Sequence, residues 1–115
     1  MFTIQEMQQI INNQNVIFNK SNCPFCIASQ NLFEHMINSG YLDNYKIYTL
    51  NEDFDNQTLT DLVSFYGWQP DGVQGFCSKP QIFVQGQYIG GNFEFYNSKW
   101  NVGEGCPKLK NPMRF

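Results

Sequence analysis

Lys20-Ser21-Asn22-Cys23-Pro24-Phe25-Cys26 is the stretch from which the rest of the chain can be read. It follows a short apolar run, Val16-Ile17-Phe18, and precedes a segment with helical spacing. Pro24 suits the first position of a helix, where its missing N–H costs no hydrogen bond. Two cysteines three positions apart at a strand-to-helix junction form a pattern suited to thiol–disulfide exchange.

Working outward, Thr3-Ile4-Gln5-Glu6 fits a capping box, and Ile4, Met7, Ile10 and Ile11 follow at helical spacing. This predicts a first helix over residues 3–13 and a buried strand over 15–20. The helix that starts at the cysteines carries Ala28, Leu32, Phe33, Met36 and Ile37 within one arc, and Gly40 caps it. Lys46-Ile47-Tyr48-Thr49-Leu50 reads as a second strand, parallel to the first because a helix joins them. A third helix over 56–66 buries Leu59, Leu62 and Val63, with Phe65-Tyr66 as further candidates, and Gly67 stops it. A long Gly-rich loop over 67–76 follows, a length often tied to function. Pro80-Gln81-Ile82-Phe83-Val84, the turn Gln85-Gly86 and Gln87-Tyr88-Ile89 make a hairpin. Gly90-Gly91 breaks the strand, and a last helix runs from Asn92 to near Trp100. The order is α-β-α-β-α-β-β-α with a mixed four-stranded sheet flanked by helices. Residues 1–100 form the domain, and 101–115 read as an irregular tail.

The chain of 115 residues is 42% hydrophobic and 17% aromatic, enough for a single core. Its net charge of -3 gives it no attraction for phosphate backbones, so nucleic acid is not an expected partner. Lys99, Lys108, Lys110 and Arg114 gather at the C-terminal end, where a solvated basic tail is the plain reading. No stretch has the length and apolarity of a membrane span, and no leader pattern opens the chain. These features predict a soluble, cytoplasmic protein with no membrane partner. In a reducing compartment a close cysteine pair is catalytic more often than structural.

Three separated motifs carry a resemblance to the glutaredoxin branch of the thioredoxin-like fold, over roughly residues 3–100. Lys20-Ser21-Asn22-Cys23-Pro24-Phe25-Cys26 is similar to that family's Lys-x-x-Cys-Pro-Tyr/Phe-Cys. Ser78-Lys79-Pro80-Gln81-Ile82-Phe83 is similar to its Thr-Val-Pro-x-Ile-Phe, whose proline is cis. Gly90-Gly91 stands at the family's spacing after that proline. The long loop and short chain look most like the glutaredoxins encoded by tailed phages. The resemblance implies a dithiol enzyme that reduces protein or mixed disulfides with glutathione. Its implied partners are glutathione and disulfide-containing proteins, with ribonucleotide reductase a client by family analogy. It implies a monomer without a metal.

The residues fit that chemistry on their own terms. A thiolate is the attacking species, and a free thiol titrates near ~8.5. Cys23 sits at the helix start, where unpaired N–H groups favour an anion, and Lys20 adds positive charge. Cys23 is therefore the predicted nucleophile. Cys26, one turn on, is placed to resolve a mixed disulfide. Phe25 has two readings, core packing or a ring at the surface beside the substrate, and the resemblance implies the second. A cis Pro80, again by resemblance, would turn the Lys79 backbone toward Cys23. Lys79 replaces an apolar residue of the family. It is open to three roles: lowering the thiol pKa, holding a carboxylate, or lying in solvent.

At Gly90-Gly91 the chain opens a helix N-terminus able to take a carboxylate. The resemblance makes Lys20, Phe25, Lys79, Pro80, Gly91 and Asn92 the expected glutathione-binding residues. Phe93 departs from the small polar residue usual there, and Thr60 is the nearest match to the family's polar group on the third helix. Cys77 reads as a third redox thiol or an idle half-buried one. Cys106 lies in the tail, and His35 is structural or solvated. A four-cysteine zinc site would bring two close pairs, whereas Cys77 and Cys106 stand alone. Two other functions remain open: recycling by a flavoprotein reductase, and an iron–sulfur cluster held with glutathione between protomers. Pro24 and the retained Cys26 argue against the cluster.

Overall fold

The computed structural model describes residues 1–70 and 75–100. The predicted tail over 101–115, with Cys106 and its basic residues, lies outside the described residues, as does part of the 67–76 loop.

The elements run α1 (Ile4–Asn13), β1 (Val16–Asn19), α2 (Pro24–Asn38), β2 (Lys46–Thr49), α3 (Asn56–Phe65), β3 (Gln81–Val84), β4 (Gln87–Gly90) and α4 (Asn92–Trp100). This is the predicted order, with boundaries shifted by a residue or two. The sheet order is β2-β1-β3-β4. β1 runs parallel to β2 and antiparallel to β3, and β3 runs antiparallel to β4.

The middle strands β1 and β3 are buried throughout. Alternation sends their side chains to two separate cores. Ile17, Ile82 and Val84 meet Phe33 and Met36 of α2 and Phe95 of α4. Val16, Phe18 and Phe83 meet Met7 and Ile11 of α1 and Leu59, Leu62 and Val63 of α3. Ring contacts hold the second core, with Phe18 edge-on to Phe54 at 5.5 Å and to Phe83 at 5.9 Å.

Local chemistry sets the helix ends. Thr3 and Glu6 form the predicted capping box, each accepting the other's backbone N–H. Gly40 follows α2 with φ 81°, a backbone conformation costly for a residue with a Cβ. Asn15 ties three segments together: its amide donates to the Asn44 carbonyl, and its oxygen accepts from Gln85 N–H.

Two expectations need correction. On α2 the buried stripe is Cys26, Ser29, Phe33 and Met36, while Ala28 is exposed and Leu32 and Ile37 only partly buried. Positions i, i+3, i+7 and i+10 from Cys26 share one face, so turning Cys26 inward rotates Ala28 out. On α3, Phe65 is exposed, because it lies off the helix face that buries Leu59, Leu62 and Val63.

Asp55 caps α3 by accepting the Thr58 N–H at 2.7 Å. That hydrogen bond holds its carboxyl below the usual aspartate range. A group with a depressed folded pKa stabilises above its unfolded pKa and loses that effect as pH falls through the folded one. Asp55→Ala is expected to lower stability by ~1 kcal/mol near neutral pH. The deficit should shrink below about pH 4. Urea midpoints of both proteins at neutral and acid pH check this, and equal midpoints at neutral pH would refute the cap.

Candidate active site

The polar stretch Ser21-Asn22 turns the chain from β1 into α2, with Asn22 in the left-handed region at φ 56°. Asparagine tolerates that conformation better than most residues. The turn delivers Cys23 as the N-cap of α2 and Pro24 as the first helical residue. Cys23 Sγ accepts the Cys26 N–H at 3.2 Å, the hydrogen bond usually made by an N-cap oxygen. Cys23 and Cys26 are joined in a disulfide, their Cα atoms 5.2 Å apart. Both are buried in this oxidised form.

Against the disulfide lies the chain entering β3. The Lys79–Pro80 bond is cis, and the Lys79 carbonyl oxygen lies 3.8 Å from Cys23 Sγ. A cleft of about 360 Å³ opens beside it. Phe25, Lys79, Pro80, Gly91 and Asn92 line it, five of the six residues expected to bind substrate. Lys20 does not line it: its side chain is exposed and reaches the site through charge alone, acting on Lys79. Phe25 is 66% exposed, so it is a surface residue rather than a core residue.

Lys79 is half-buried. Its ammonium donates to Asn56 Oδ1 on the first turn of α3 and, at 2.9 Å, to the Cys77 carbonyl. Burial pushes its pKa below the ordinary lysine value; Cys77 acts against this shift and Lys20 adds to it. Thr60, the nearest match on the third helix to the family's polar group, does not line the cleft. Its hydroxyl accepts the Cys77 N–H at 3.0 Å and lies 3.6 Å from Cys77 Sγ, because the buried strand entry needs a partner there. Burial raises the Cys77 thiol above its ordinary value, so Cys77 is a neutral, buried thiol rather than a third reactive one. His35 is exposed in the last turn of α2.

At the other end of the cleft, Gly90 holds φ 113°, and a Cβ there would lie 2.8 Å from Glu94 Oε1. The same carboxylate accepts the Gly91 N–H at 2.7 Å. Asn92 is tied back to α2, its Oδ1 accepting the Ser29 hydroxyl at 2.7 Å. Sequence reading missed Ser29 and Asn56, whose roles depend on neighbours distant in the chain. It also missed Ser78 and Glu94 as lining residues, although adjacency to Lys79 and Gly91 was available as a signal.

Among the described residues no group of three or more His, Cys, Asp or Glu is arranged to hold a metal ion. Nor is any described helix long and apolar enough to cross a membrane.

Similarity to known proteins agrees with this geometry. No protein-family model matches the chain. Glutaredoxin 1 of Escherichia coli (strain K12) is 33% identical over 82 residues, which is 71% of this chain and 87% of that protein. Among solved structures, a buckwheat glutaredoxin–glutathione complex superposes with a TM-score of 0.65 at 22% identity, covering 85% of this chain and 79% of the other. Oxidised glutaredoxin 2 from Chlamydomonas reinhardtii gives 0.60 at 21% identity, covering 85% and 82%. At those identities the two structures establish the thioredoxin-like fold. On the Escherichia coli relative, the chain belongs to the glutaredoxin family of glutathione-dependent thiol–disulfide oxidoreductases.

Proposed function

We propose that the cleft binds glutathione through Lys79, Pro80, Gly91 and Asn92, and that Cys23 attacks while Cys26 resolves. The reduced Cys23 thiolate forms a bond to one sulfur of a substrate disulfide, and the other sulfur leaves as a thiolate. Cys26, giving up its proton, then displaces the bound thiol from Cys23. Two electrons pass to the substrate, and the Cys23–Cys26 disulfide is left. Two glutathione molecules reverse this through a mixed disulfide on Cys23 and depart as glutathione disulfide. Protein disulfides, ribonucleotide reductase among them by family analogy, are the clients. A reducing compartment, the cytoplasm, is where such a dithiol is regenerated.

The observation that carries this reading is the disulfide at the N-terminus of α2, beside the Lys79 carbonyl and a cleft sized for a small peptide. Glutathione carries carboxylates, and Lys79 is the cationic residue among the described residues that line the cleft. The test is turnover of a glutathione mixed disulfide with glutathione as reductant. No turnover, together with failure of glutathione to reduce Cys23–Cys26, overturns the proposal and leaves recycling by a flavoprotein reductase.

In the same assay Lys79→Met should raise KM roughly tenfold, the scale of one charge-assisted hydrogen bond, with kcat largely kept. Because burial lowers the Lys79 pKa, wild-type KM should rise with alkaline pH earlier than for an ordinary lysine. The variant should lack that rise. A pH-independent wild-type KM would remove Lys79 from carboxylate binding.

A further inference from the structure

Five of the ten described phenylalanines, Phe18, Phe33, Phe54, Phe83 and Phe95, are buried in the cores. Phe25 and Phe93 are instead 66% and 71% exposed, and both line the cleft beside the disulfide. Phe25 comes from the first turn of α2 and Phe93 from the first turn of α4. The two rings are therefore held by separate elements on one reactive site. Exposed aromatic surface at a binding cleft is available to cover apolar groups of a ligand.

The polar groups are unevenly spread. Lys79 lies on one part of the lining, while at the start of α4 the Glu94 carboxylate accepts the Gly91 N–H. Beside it the exposed Phe93 ring offers apolar surface that an uncharged apolar side chain can cover. The Lys79 carbonyl, close to Cys23, is a ready acceptor for a peptide N–H.

We propose that Phe93, facing the same cleft as Phe25, selects protein disulfides whose reacting cysteine is flanked by a large apolar residue. The occupant is an extended peptide segment, with its backbone along Lys79 and its apolar side chain between the two aromatic walls. This rests on Cys23 being the attacking thiol. The chemistry is the same exchange: the bond from Cys23 to the peptide sulfur forms as the peptide's own disulfide breaks. Cys26 then releases the peptide thiol.

The test uses the full chain, reduced beforehand, and short peptides whose single cysteine is disulfide-bonded to 5-thio-2-nitrobenzoate. That thiolate is the better leaving group, so attack falls on the peptide sulfur and its release is visible. Peptides carry leucine, phenylalanine or serine beside the cysteine, and each rate is divided by that of a small free thiol with the same peptide. Wild type should favour the leucine and phenylalanine peptides roughly tenfold over serine, as expected for an apolar pocket contact. Phe93→Ser should reduce the preference to about twofold or less, and Phe93→Leu should retain most of it. Equal wild-type rates, or a full preference surviving in Phe93→Ser, overturn the proposal. Turnover of a glutathione mixed disulfide by the same preparation separates the two failures. Turnover with flat peptide rates removes only the apolar selection; loss of both removes the assigned reaction as well.

Discussion

Cys23→Ser is expected to lose disulfide turnover by at least about 10³-fold, a scale typical of deleting a nucleophile. Cys26→Ser should keep turnover of glutathione mixed disulfides. Cys23 is the N-cap of α2, and its sulfur accepts the Cys26 N–H at 3.2 Å. That N–H and the positive end of the helix are aimed at the atom that carries negative charge in the proposed attack. A serine hydroxyl in the same place ionises far too weakly to act as the attacking thiolate. Cys26 has a different task. Its Cα lies 5.2 Å from that of Cys23, close enough for the resolving disulfide. Without it, a mixed disulfide on Cys23 must await a second thiol. Glutathione supplies one, whereas reduction of a protein disulfide without glutathione should stop at the trapped adduct. Steady-state rates on a glutathione mixed disulfide and on a protein disulfide, with mass measurement of the adduct, check both arms. Retained activity in Cys23→Ser would move the nucleophile elsewhere.

Phe33→Ala is the substitution expected to cost the most stability among those argued here, about 3–5 kcal/mol. The Phe33 ring is fully buried, stacks on Tyr45 at 4.9 Å with planes 7° apart, and meets Phe95 at 4.5 Å. Removing it empties the junction between α2, which carries the cysteines, and α4, which carries Asn92 and Phe93. Against a total stability of about 5–15 kcal/mol for a small domain, the loss is a large fraction. The urea midpoint should fall sharply with little change in slope. The hydrogen bond from Ser29 to Asn92 crosses the same junction. The variant's KM for a glutathione mixed disulfide should therefore rise as well. A loss below about 1 kcal/mol would mean that neighbouring side chains collapse into the space.

These predictions differ in what underlies them. Cys23, Cys26 and Pro24 lie within four consecutive residues, and their roles follow from helix-terminus chemistry that is local to the chain. The same locality made the capping box of α1, the stop at Gly40 and the short apolar run of β1 readable from residue order. Phe25, Pro80, Gly91 and Asn92 could be assigned to the cleft because their motifs keep a family spacing.

Tertiary structure decided what depends on contacts between distant segments. Lys79 and Asn56 are far apart in sequence, yet the ammonium donates to that amide oxygen. No local rule distinguishes such a lysine from a solvated one. Thr60 is the nearest residue on α3 to the family's polar group, but its hydroxyl pairs with the Cys77 N–H, because a buried N–H left unpaired is costly. Ala28 and Phe65 left the core because helix periodicity gives a face without saying how the helix is rotated against the sheet. The fold order and the cysteine pair are thus legible in short-range pattern. Which charge and which rings surround the pair is settled by long-range contact, since those neighbours come from α3, β3 and α4, which meet when the sheet is formed.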